Sequence, residues 1–492
     1  MQPENLRFGG GASETILHPI VLVALLIAIA LIFFLRRKYV ILPVMIMTFL
    51  VPLGQTVLVG GLHFFVFRII VLAMALRMLG SLFLSPDGIF GNRLGAFDLI
   101  FLTWALFRAL AGIMTFSLAR GAVIYQAGFL LDAIGGFFVL RYLIRDEEDI
   151  YRVMRAFAVI TIIIGCCMVF EKVRQVNLFG LLGGVRAVPE TRGGAVRAQG
   201  PFQHEIIAGT FGATLLPLFF LLWKSGKARL LGVLGAIGST LMVLTSHSST
   251  PVMAYGAAIL GICAWPLRRS MRLVRWAIVG AICALALVMK APVWFVLAHI
   301  DVVGGSSGYH RAMLVNDFIM HFKDWWLFGT AENSRWGFNM WDLCNQYVAE
   351  GQLGGLVTFL CFVAMICIAF SRIGTARKAM EGDRTREWFF YALGAALFSH
   401  CVAFFGISYF DQTRVMWFAL LAIIITATAP YMVKEPVKHW VRPAYRRPEP
   451  AYARSASQPS RTPGRQANPR QSPRPWSKPT FGRFPGRASD PS

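Results

Sequence analysis

The chain has 492 residues, of which 56 % are hydrophobic and 15 % are charged, and its net charge is +23. A soluble domain of this composition would expose far too much apolar surface, so a soluble fold is excluded. Apolar runs of about 20 residues, enough to span a hydrocarbon core of about 30 Å, recur along the chain. Because these runs are continuous rather than alternating, we predict an all-α, polytopic helical membrane protein and not a barrel.

The positive charge lies mainly in short connections between apolar runs and in the C-terminal tail. This distribution follows the positive-inside rule, so membrane lipids are expected as partners and nucleic acid is not. Seven of the eight cysteines lie inside apolar runs. The sequence has no CxxC motif and no His/Cys cluster with zinc spacing, so no metal site or cofactor is predicted.

We predict about thirteen transmembrane helices within a domain that covers residues 1–433. They are placed at 16–35, 39–59, 64–84, 96–116, 121–143, 153–171, 205–223, 229–246, 251–266, 274–300, 346–371, 388–408 and 413–432. The connections between them alternate between a short basic set and an opposite set. With the basic set in the cytoplasm, the N-terminus is periplasmic and the C-terminus cytoplasmic.

The segment 434–492 changes character, because it is rich in Pro, Ser and Arg and has few aliphatic residues. Such a segment cannot bury enough apolar surface to offset its conformational entropy, so it is predicted to be a disordered cytoplasmic tail. It is either a solvated extension or a docking segment that adheres to anionic lipid.

Two connections are much longer than the rest, and charge counting places both on the periplasmic side. The first, at about 172–204, carries Arg192 and Arg197 and ends in Gln199-Gly200-Pro201-Phe202-Gln203-His204. Arginines outside the membrane run against the positive-inside trend, and guanidinium groups match phosphate in a bidentate fork. They are candidates to bind phosphate or lipid headgroups.

The second long connection, at about 302–345, predicts an amphipathic helix from Tyr309 to Trp326. Ala312, Val315, Ile319, Phe322 and Trp326 form its apolar face, and His310, Asp317, His321 and Asp324 lie opposite. The polar face is either a proton-transfer site or a water-facing stripe.

The chain returns to the membrane through a segment that contains Asp342, Cys344, Asn345 and Glu350. A glutamate in the first turns of a span is costly unless it is paired or lines a wet cavity, so Glu350 is a candidate site residue. Asp342 and Asn345 are either further site residues or helix caps. The glycines that follow predict close helix packing.

These motifs together resemble the O-antigen ligase and O-antigen polymerase superfamily of bacterial inner membranes. The resemblance covers roughly residues 98–425. It rests on Phe137 to Asp149, Arg197 with Gly200-Pro201-Phe202, Gly308 to Arg311, Trp326 to Thr330 and Asn345 to Leu356. It implies a metal-independent glycosyltransferase that acts at the periplasmic face on a glycan carried by undecaprenyl diphosphate.

Within that superfamily, ligases transfer a finished chain to lipid A-core and polymerases transfer it to another lipid-linked repeat unit. Ligases often carry a His-Asn pair at the start of the return helix, where this chain has Cys344-Asn345. The difference favours a polymerase of an exopolysaccharide or O-antigen. A sugar acceptor and other polysaccharide assembly proteins are the implied partners.

Displacement of a diphosphate requires cations to stabilise the leaving group, and a carboxylate or imidazole to take the proton of the acceptor hydroxyl. We predict Arg197 and Arg311 at the diphosphate, with Arg192 and Arg335 as further candidates. The predicted bases are Glu350, Asp342 and His321. The alternatives are a lipid-linked oligosaccharide flippase or a non-catalytic component of an export complex.

Overall fold

The computed structural model describes residues 15–60, 62–84, 94–116, 119–299 and 308–432. The predicted tail and the start of the second long connection lie outside these residues. The described chain is mostly helical. Its α-helices are α1 (Pro19–Phe34), α2 (Arg37–Leu50), α3 (Val66–Leu84), α4 (Ala96–Thr115), α5 (Arg120–Leu130), α6 (Gly136–Leu143), α7 (Glu147–Arg174), α8 (Glu205–Lys224), α9 (Arg229–Ser246), α10 (Ser249–Cys263), α11 (Met271–Val288), α12 (Gly308–Met320), α13 (Phe322–Trp325), α14 (Gln346–Ala379), α15 (Arg384–Ala403) and α16 (Gln412–Thr428).

Strands are few and short in the described residues. They form two antiparallel hairpins, β1 (Thr56–Val59) with β2 (Leu62–Phe65) and β3 (Glu190–Arg192) with β4 (Ala195–Arg197). A five-residue π-helix, Leu131–Gly135, joins α5 to α6.

Eight helical segments in the described part of the chain are long and apolar enough to cross a membrane, judged by length and composition. They are Ala96–Thr115, Gly121–Leu143, Glu147–Arg174, Glu205–Lys224, Arg229–Ser246, Trp265–Val288, Gln346–Ala379 and Gln412–Tyr431. The helices α1 and α10 are apolar but shorter. The structure therefore has the helical character of a multi-pass membrane protein. The eight candidate spans among the described residues are fewer than the thirteen predicted from the sequence.

Two of the predicted spans end early. The predicted span 39–59 is wrong beyond Leu50, because Pro52 and Gly54 follow α2 and Thr56–Val59 forms a strand. The predicted span 274–300 ends as an α-helix at Val288 and continues as a 3₁₀ segment at Val293–His299.

The core lies around α8 and α16. Most of the side chains of these two helices are buried, whereas no side chain of α11 is. Close packing relies on small residues. Gly165 of α7 faces Gly238 of α9, and a methyl group at Gly238 would approach the backbone of Ile162 to 2.7 Å. Side chains larger than hydrogen would therefore force these helices apart.

The connections fall into two sets, each of which meets at one end of the helix bundle. The wide-loop end comprises connections 51–65, 116–119, 175–204, 247–248, 308–345 and 404–411. Hydrogen bonds join them at Gln55–Gly183, Ala198–Thr245, Gln203–Asp411, Thr250–Gly406 and Thr115–Phe328. At the short-loop end, ion pairs join Arg37–Asp149, Lys227–Glu147, Arg268–Glu387 and Arg269–Glu381.

The predicted helix Tyr309–Trp326 is interrupted at His321, and its predicted apolar face is correct at Ala312, which is buried, and in part at Val315, but wrong beyond them. Leu314 and Phe318 are buried, and Phe318 stacks on Trp325 at 3.9 Å between ring centroids. Ile319 and Trp326 are exposed instead. Because the helix breaks at His321, Trp325 folds back onto α12. The 3.6-residue periodicity of one continuous helix does not predict this contact.

Candidate functional site

Asn345 begins the return helix α14 as its cap. Its side-chain oxygen accepts hydrogen bonds from the backbone N–H groups of Tyr347 (2.9 Å) and Val348 (3.2 Å), which would otherwise lack partners. Of the two roles expected for Asn345, the geometry supports capping. The cap fixes the direction in which the next two turns, up to Glu350, enter the bundle.

Hydrogen-bond donors and cations surround Glu350. We call Glu350, Trp104, Arg108, Gln346 and Arg414 together the Glu350 cluster. The Glu350 carboxylate is 1 % exposed and accepts from Trp104 Nε1 (2.8 Å), Arg108 Nη1 (2.9 Å) and Gln346 Nε2 (2.6 Å). A buried carboxylate with an ionic partner and two further donors is well compensated. Its lone pairs are engaged, so it suits the positioning of Arg108 better than proton transfer.

Arg414 completes this cluster, and the sequence analysis did not single it out. Its Nη2 donates to the carbonyl of Tyr409 (3.2 Å), and its guanidinium lies over the ring of Phe129 at 5.6 Å, near that of Arg108 at 5.0 Å. No carboxylate lies within 4 Å of Arg414 among the described residues. A signal was present, because an arginine in the first turn of a span on the predicted outer side runs against the positive-inside trend.

A half-buried ion pair lies beside the Glu350 cluster. Arg68 of α3 donates to both carboxylate oxygens of Asp132, at 2.9 and 2.8 Å. Asp132 belongs to the π-helical segment between α5 and α6, a local irregularity that is frequent at functional sites.

The return helix breaks at Gly355, which has a φ of +73°. The break leaves backbone groups that the second long connection satisfies. Thr330 N donates to the Gln352 carbonyl and Leu356 N donates to the Trp326 carbonyl, each at 2.8 Å. The turn from Trp326 to Thr330 therefore docks directly on the helix that carries Glu350.

The first long connection ends in a partly buried network that we call the Arg197 cluster: the buried Arg197 and Glu205 with the half-buried Glu190 and His204. The Arg197 guanidinium forms ion pairs with Glu205 and, at 3.2 Å, with Glu190. Two carboxylates thus neutralise a single buried cation. This arrangement holds the hairpin β3–β4 against the start of α8.

His204 links this cluster to the second long connection. Its Nδ1 accepts from Ile206 N at 3.2 Å and caps α8, so the neutral ring carries its proton on Nε2. Burial lowers the pKa of His204, and the nearby charges of Glu205 and Asp342 oppose that shift. Asp342 therefore lies within electrostatic reach of His204. Its carboxylate is exposed and has no ion-pair partner within the described part of the chain.

Arg311 is 5 % exposed, and its charge lies within electrostatic reach of the Cys344 thiol. Burial, reinforced by the charge of Asp342, raises the pKa of Cys344 to about 12, so this thiol stays protonated. In the described residues, Arg311 has no carboxylate within ion-pair distance, and its Nε has no hydrogen-bond partner. It is therefore a buried cation with unused capacity to bind an anion.

Of the remaining predicted site residues, Arg335 and His321 have partners within their own loop, and Arg192 has no side-chain partner among the described residues. Arg192 is exposed in the β3–β4 hairpin. Arg335 is 75 % exposed and pairs with Glu332 at 2.5 Å. His321 stacks on Trp336, and its Nδ1 lies 2.9 Å from the carbonyl of Asp317.

The structure thus brings Arg197, Asp342 and Arg311 to the same end of the bundle through His204 and Cys344, next to the first turns of α14. Over the described ranges, no group of three or more His, Cys, Asp and Glu side chains is placed to hold a metal ion. No protein-family model matches the chain, and no curated protein or solved structure is significantly similar to it.

Proposed function

We propose that this protein is a membrane-embedded glycosyltransferase of the O-antigen polymerase and ligase type. It would transfer a glycan from undecaprenyl diphosphate to an acceptor sugar hydroxyl at the periplasmic face, as a polymerase of an exopolysaccharide or O-antigen. The observation that carries the proposal is that three guanidinium groups, the buried Arg311 and the half-buried Arg108 and Arg414, lie around the start of α14.

The topology belongs to the same proposal. Thirteen transmembrane helices place the N-terminus in the periplasm and the C-terminus in the cytoplasm of the inner membrane. The wide-loop end is then periplasmic, where a lipid-linked donor and a growing chain are both accessible. The ion pairs of the short-loop end involve the basic connections that the positive-inside rule assigns to the cytoplasm.

We assign Arg311 to the departing diphosphate. It is desolvated and has no carboxylate partner in the described part of the chain, so its charge is available to an anion. Arg414 is similarly placed and is the second candidate. Loss of one preorganised charge stabiliser typically costs about 10²–10³ in rate.

Arg197 has a different role in this proposal, because Glu205 and Glu190 already match its charge. It holds His204 and the end of the first long connection in place. A diphosphate at Arg197 would have to displace one of these carboxylates, whereas Arg311 accepts an anion without such an exchange.

We assign the acceptor's proton to Asp342. Its carboxylate is exposed and free of ionic partners in the described residues, whereas that of Glu350 is engaged by three donors. The Nε2–H group of His204 provides a nearby donor that can orient Asp342 or a phosphate oxygen.

The experiment is a polysaccharide ladder assay combined with the sidedness of the lipid intermediate. We expect Arg311→Ala to abolish the ladder and leave single repeat units on the lipid carrier at the periplasmic face. Arg335→Ala removes an exposed arginine from the same connection and should leave the ladder intact. Single units stranded on the cytoplasmic leaflet would instead identify a flippase and refute the proposal.

A further inference from the structure

An apolar cavity opens on the surface of the bundle, and the residues of α8 that line it belong to the last three turns of that helix. It lies between α8, α9 and α10, and its volume is about 470 Å³, within the range of small-molecule sites. The wall is formed by Phe219, Trp223, Gly232, Ala236, Ile259 and Ile262, among others. We call this cavity the α8–α10 groove.

The groove has almost no polar wall. Thr240 is the polar exception, but its hydroxyl donates to the Ala236 carbonyl (2.9 Å) and bonds the Tyr255 hydroxyl (2.6 Å). Only the indole N–H of Trp223 and the weakly polar thiol of Cys263 remain, too few to orient a sugar or a nucleotide. The part of a ligand that fits this wall is a hydrocarbon chain.

Small residues create the space. A methyl group on Gly232 would approach the backbone nitrogen of Trp223 to 2.6 Å, so α9 contacts α8 tightly at this level. Ala236 and Thr240 follow Gly232 at intervals of one helical turn, and their small side chains leave space on this side of α9. The aromatic side chains of Phe219, Phe220 and Trp223 from α8 form the opposite side.

Positive charge surrounds one mouth of the groove. Lys224 follows the groove residue Trp223, and its ammonium lies 4.7 Å from the centre of the Trp388 ring and 6.0 Å from that of Phe220. Arg229 begins α9, one turn before Gly232. Neither Lys224 nor Arg229 has a carboxylate within 4 Å in the described ranges, unlike the neighbouring Lys227, which pairs with Glu147.

We propose that the α8–α10 groove binds one anionic phospholipid of the surrounding bilayer, with an acyl chain against Ala236 and the phosphate between Lys224 and Arg229. The argument is charge complementarity at one end of an apolar channel, because basic groups at the ends of membrane helices bind anionic headgroups. It requires that these helices lie in a bilayer and does not depend on the glycosyltransferase proposal.

The experiment titrates delipidated protein with phosphatidylglycerol or phosphatidylcholine and counts bound lipids by native mass spectrometry. The double variant Lys224→Gln/Arg229→Gln should weaken phosphatidylglycerol binding about 25-fold and leave phosphatidylcholine binding unchanged, since each cation contributes roughly fivefold. Arg272→Gln/Arg275→Gln removes two exposed cations from α11 outside the groove and should change neither titration.

Ala236→Trp fills the groove and should remove the phosphatidylglycerol adduct, whereas Ile282→Trp on the exposed face of α11 should retain it. If both headgroups bind equally and the charge variant has no effect, the anionic selectivity is refuted. If Ala236→Trp converts a dimer to a monomer, a second copy occupies the groove and the lipid proposal is refuted. Lys224→Gln/Arg229→Gln changes only exposed side chains and should fold. It therefore tests the binding of the anionic lipid even if Ala236→Trp does not fold.

Discussion

Replacement of Arg108 by leucine tests whether the Glu350 cluster depends on ionic compensation. Arg108 Nη1 lies 2.9 Å from Glu350 Oε2, and the two side chains are 12 % and 1 % exposed. Arg108→Leu leaves the carboxylate buried with only the Trp104 and Gln346 donors. Loss of one partner from a buried ion pair costs about 3–5 kcal/mol, and we expect the lower part of that range because two hydrogen bonds remain.

The double variant Arg108→Leu/Glu350→Gln should recover about 2 kcal/mol of the loss. The neutral amide needs no counter-ion, and its single oxygen can still accept from one of the two donors, Trp104 Nε1 or Gln346 Nε2. The measurement is the free energy of unfolding in mixed micelles for the wild type, both single variants and the double variant, which together form a double-mutant cycle.

Arg335→Leu is the matched control, because Arg335 is 75 % exposed and its pair with Glu332 should contribute less than about 1 kcal/mol. If Glu350→Gln fails to rescue Arg108→Leu, the loss arises from packing around the leucine rather than from an uncompensated carboxylate. That result would refute our description of the Glu350 cluster.

Three further predictions concern the wide-loop end. Gly355→Ala should destabilise the protein by more than about 1 kcal/mol in the same unfolding assay, because φ of Gly355 is +73° and a methyl group there would meet the Leu327 carbonyl. Gly374→Ala is the control, because a methyl group at Gly374 in the same helix meets open space. This variant should be neutral or stabilising by up to about 1 kcal/mol. Burial lowers the pKa of His204, so the unfolded chain binds more protons below pH 6.5 and stability falls as the pH falls through the folded value. His204→Asn, which keeps a capping oxygen, should flatten stability curves measured between pH 7 and 5. The Cys344 thiol, whose pKa is about 12, should resist a charged maleimide at pH 8 until the protein unfolds, as read by mass spectrometry; rapid labelling of the folded protein would contradict its burial.

The positions of most helices could be predicted from apolar runs, because each run of this length must form its hydrogen bonds internally. The predicted span 229–246 coincides with α9, and the predicted span 96–116 differs from α4 by one residue. The first and last residues of the helices could not be predicted from hydropathy, because side-chain caps determine where a helix begins and ends. Asp146 caps α7, which begins at Glu147, six residues before the predicted start of that span.

The hairpin β1–β2 could not be distinguished from the end of a helix by hydropathy. Val57-Leu58-Val59 and Phe64-Phe65 are as apolar as a membrane helix, and only the Gly60-Gly61 pair between them indicates a turn. A short apolar run has no period that separates strand from helix. The structure resolves the ambiguity through the pairing of the two strands.

The candidate site was predictable in part. A glutamate in the first turns of a span, Glu350, had to have a partner, and it does. The identity of that partner, Arg108, depends on the packing of α4 against α14, two helices more than 200 residues apart in sequence. The role of Arg414 was missed for the same reason, because sequence spacing does not report which helices are neighbours.

The docking of the Trp326–Thr330 turn on the broken helix α14 determines where this connection tolerates added chain. An epitope inserted at Leu327 or Gly329 would separate hydrogen bonds that join the turn to Gln352 and Leu356. Phe338, at 95 % exposure, lies in the same connection outside the hydrogen bonds to α14, at the tip of a loop closed by a hydrogen bond from Asn333 Nδ2 to the Met340 carbonyl at 2.6 Å. An insertion there gives a handle for antibodies or fluorophores that reports on this end of the molecule without disturbing its architecture.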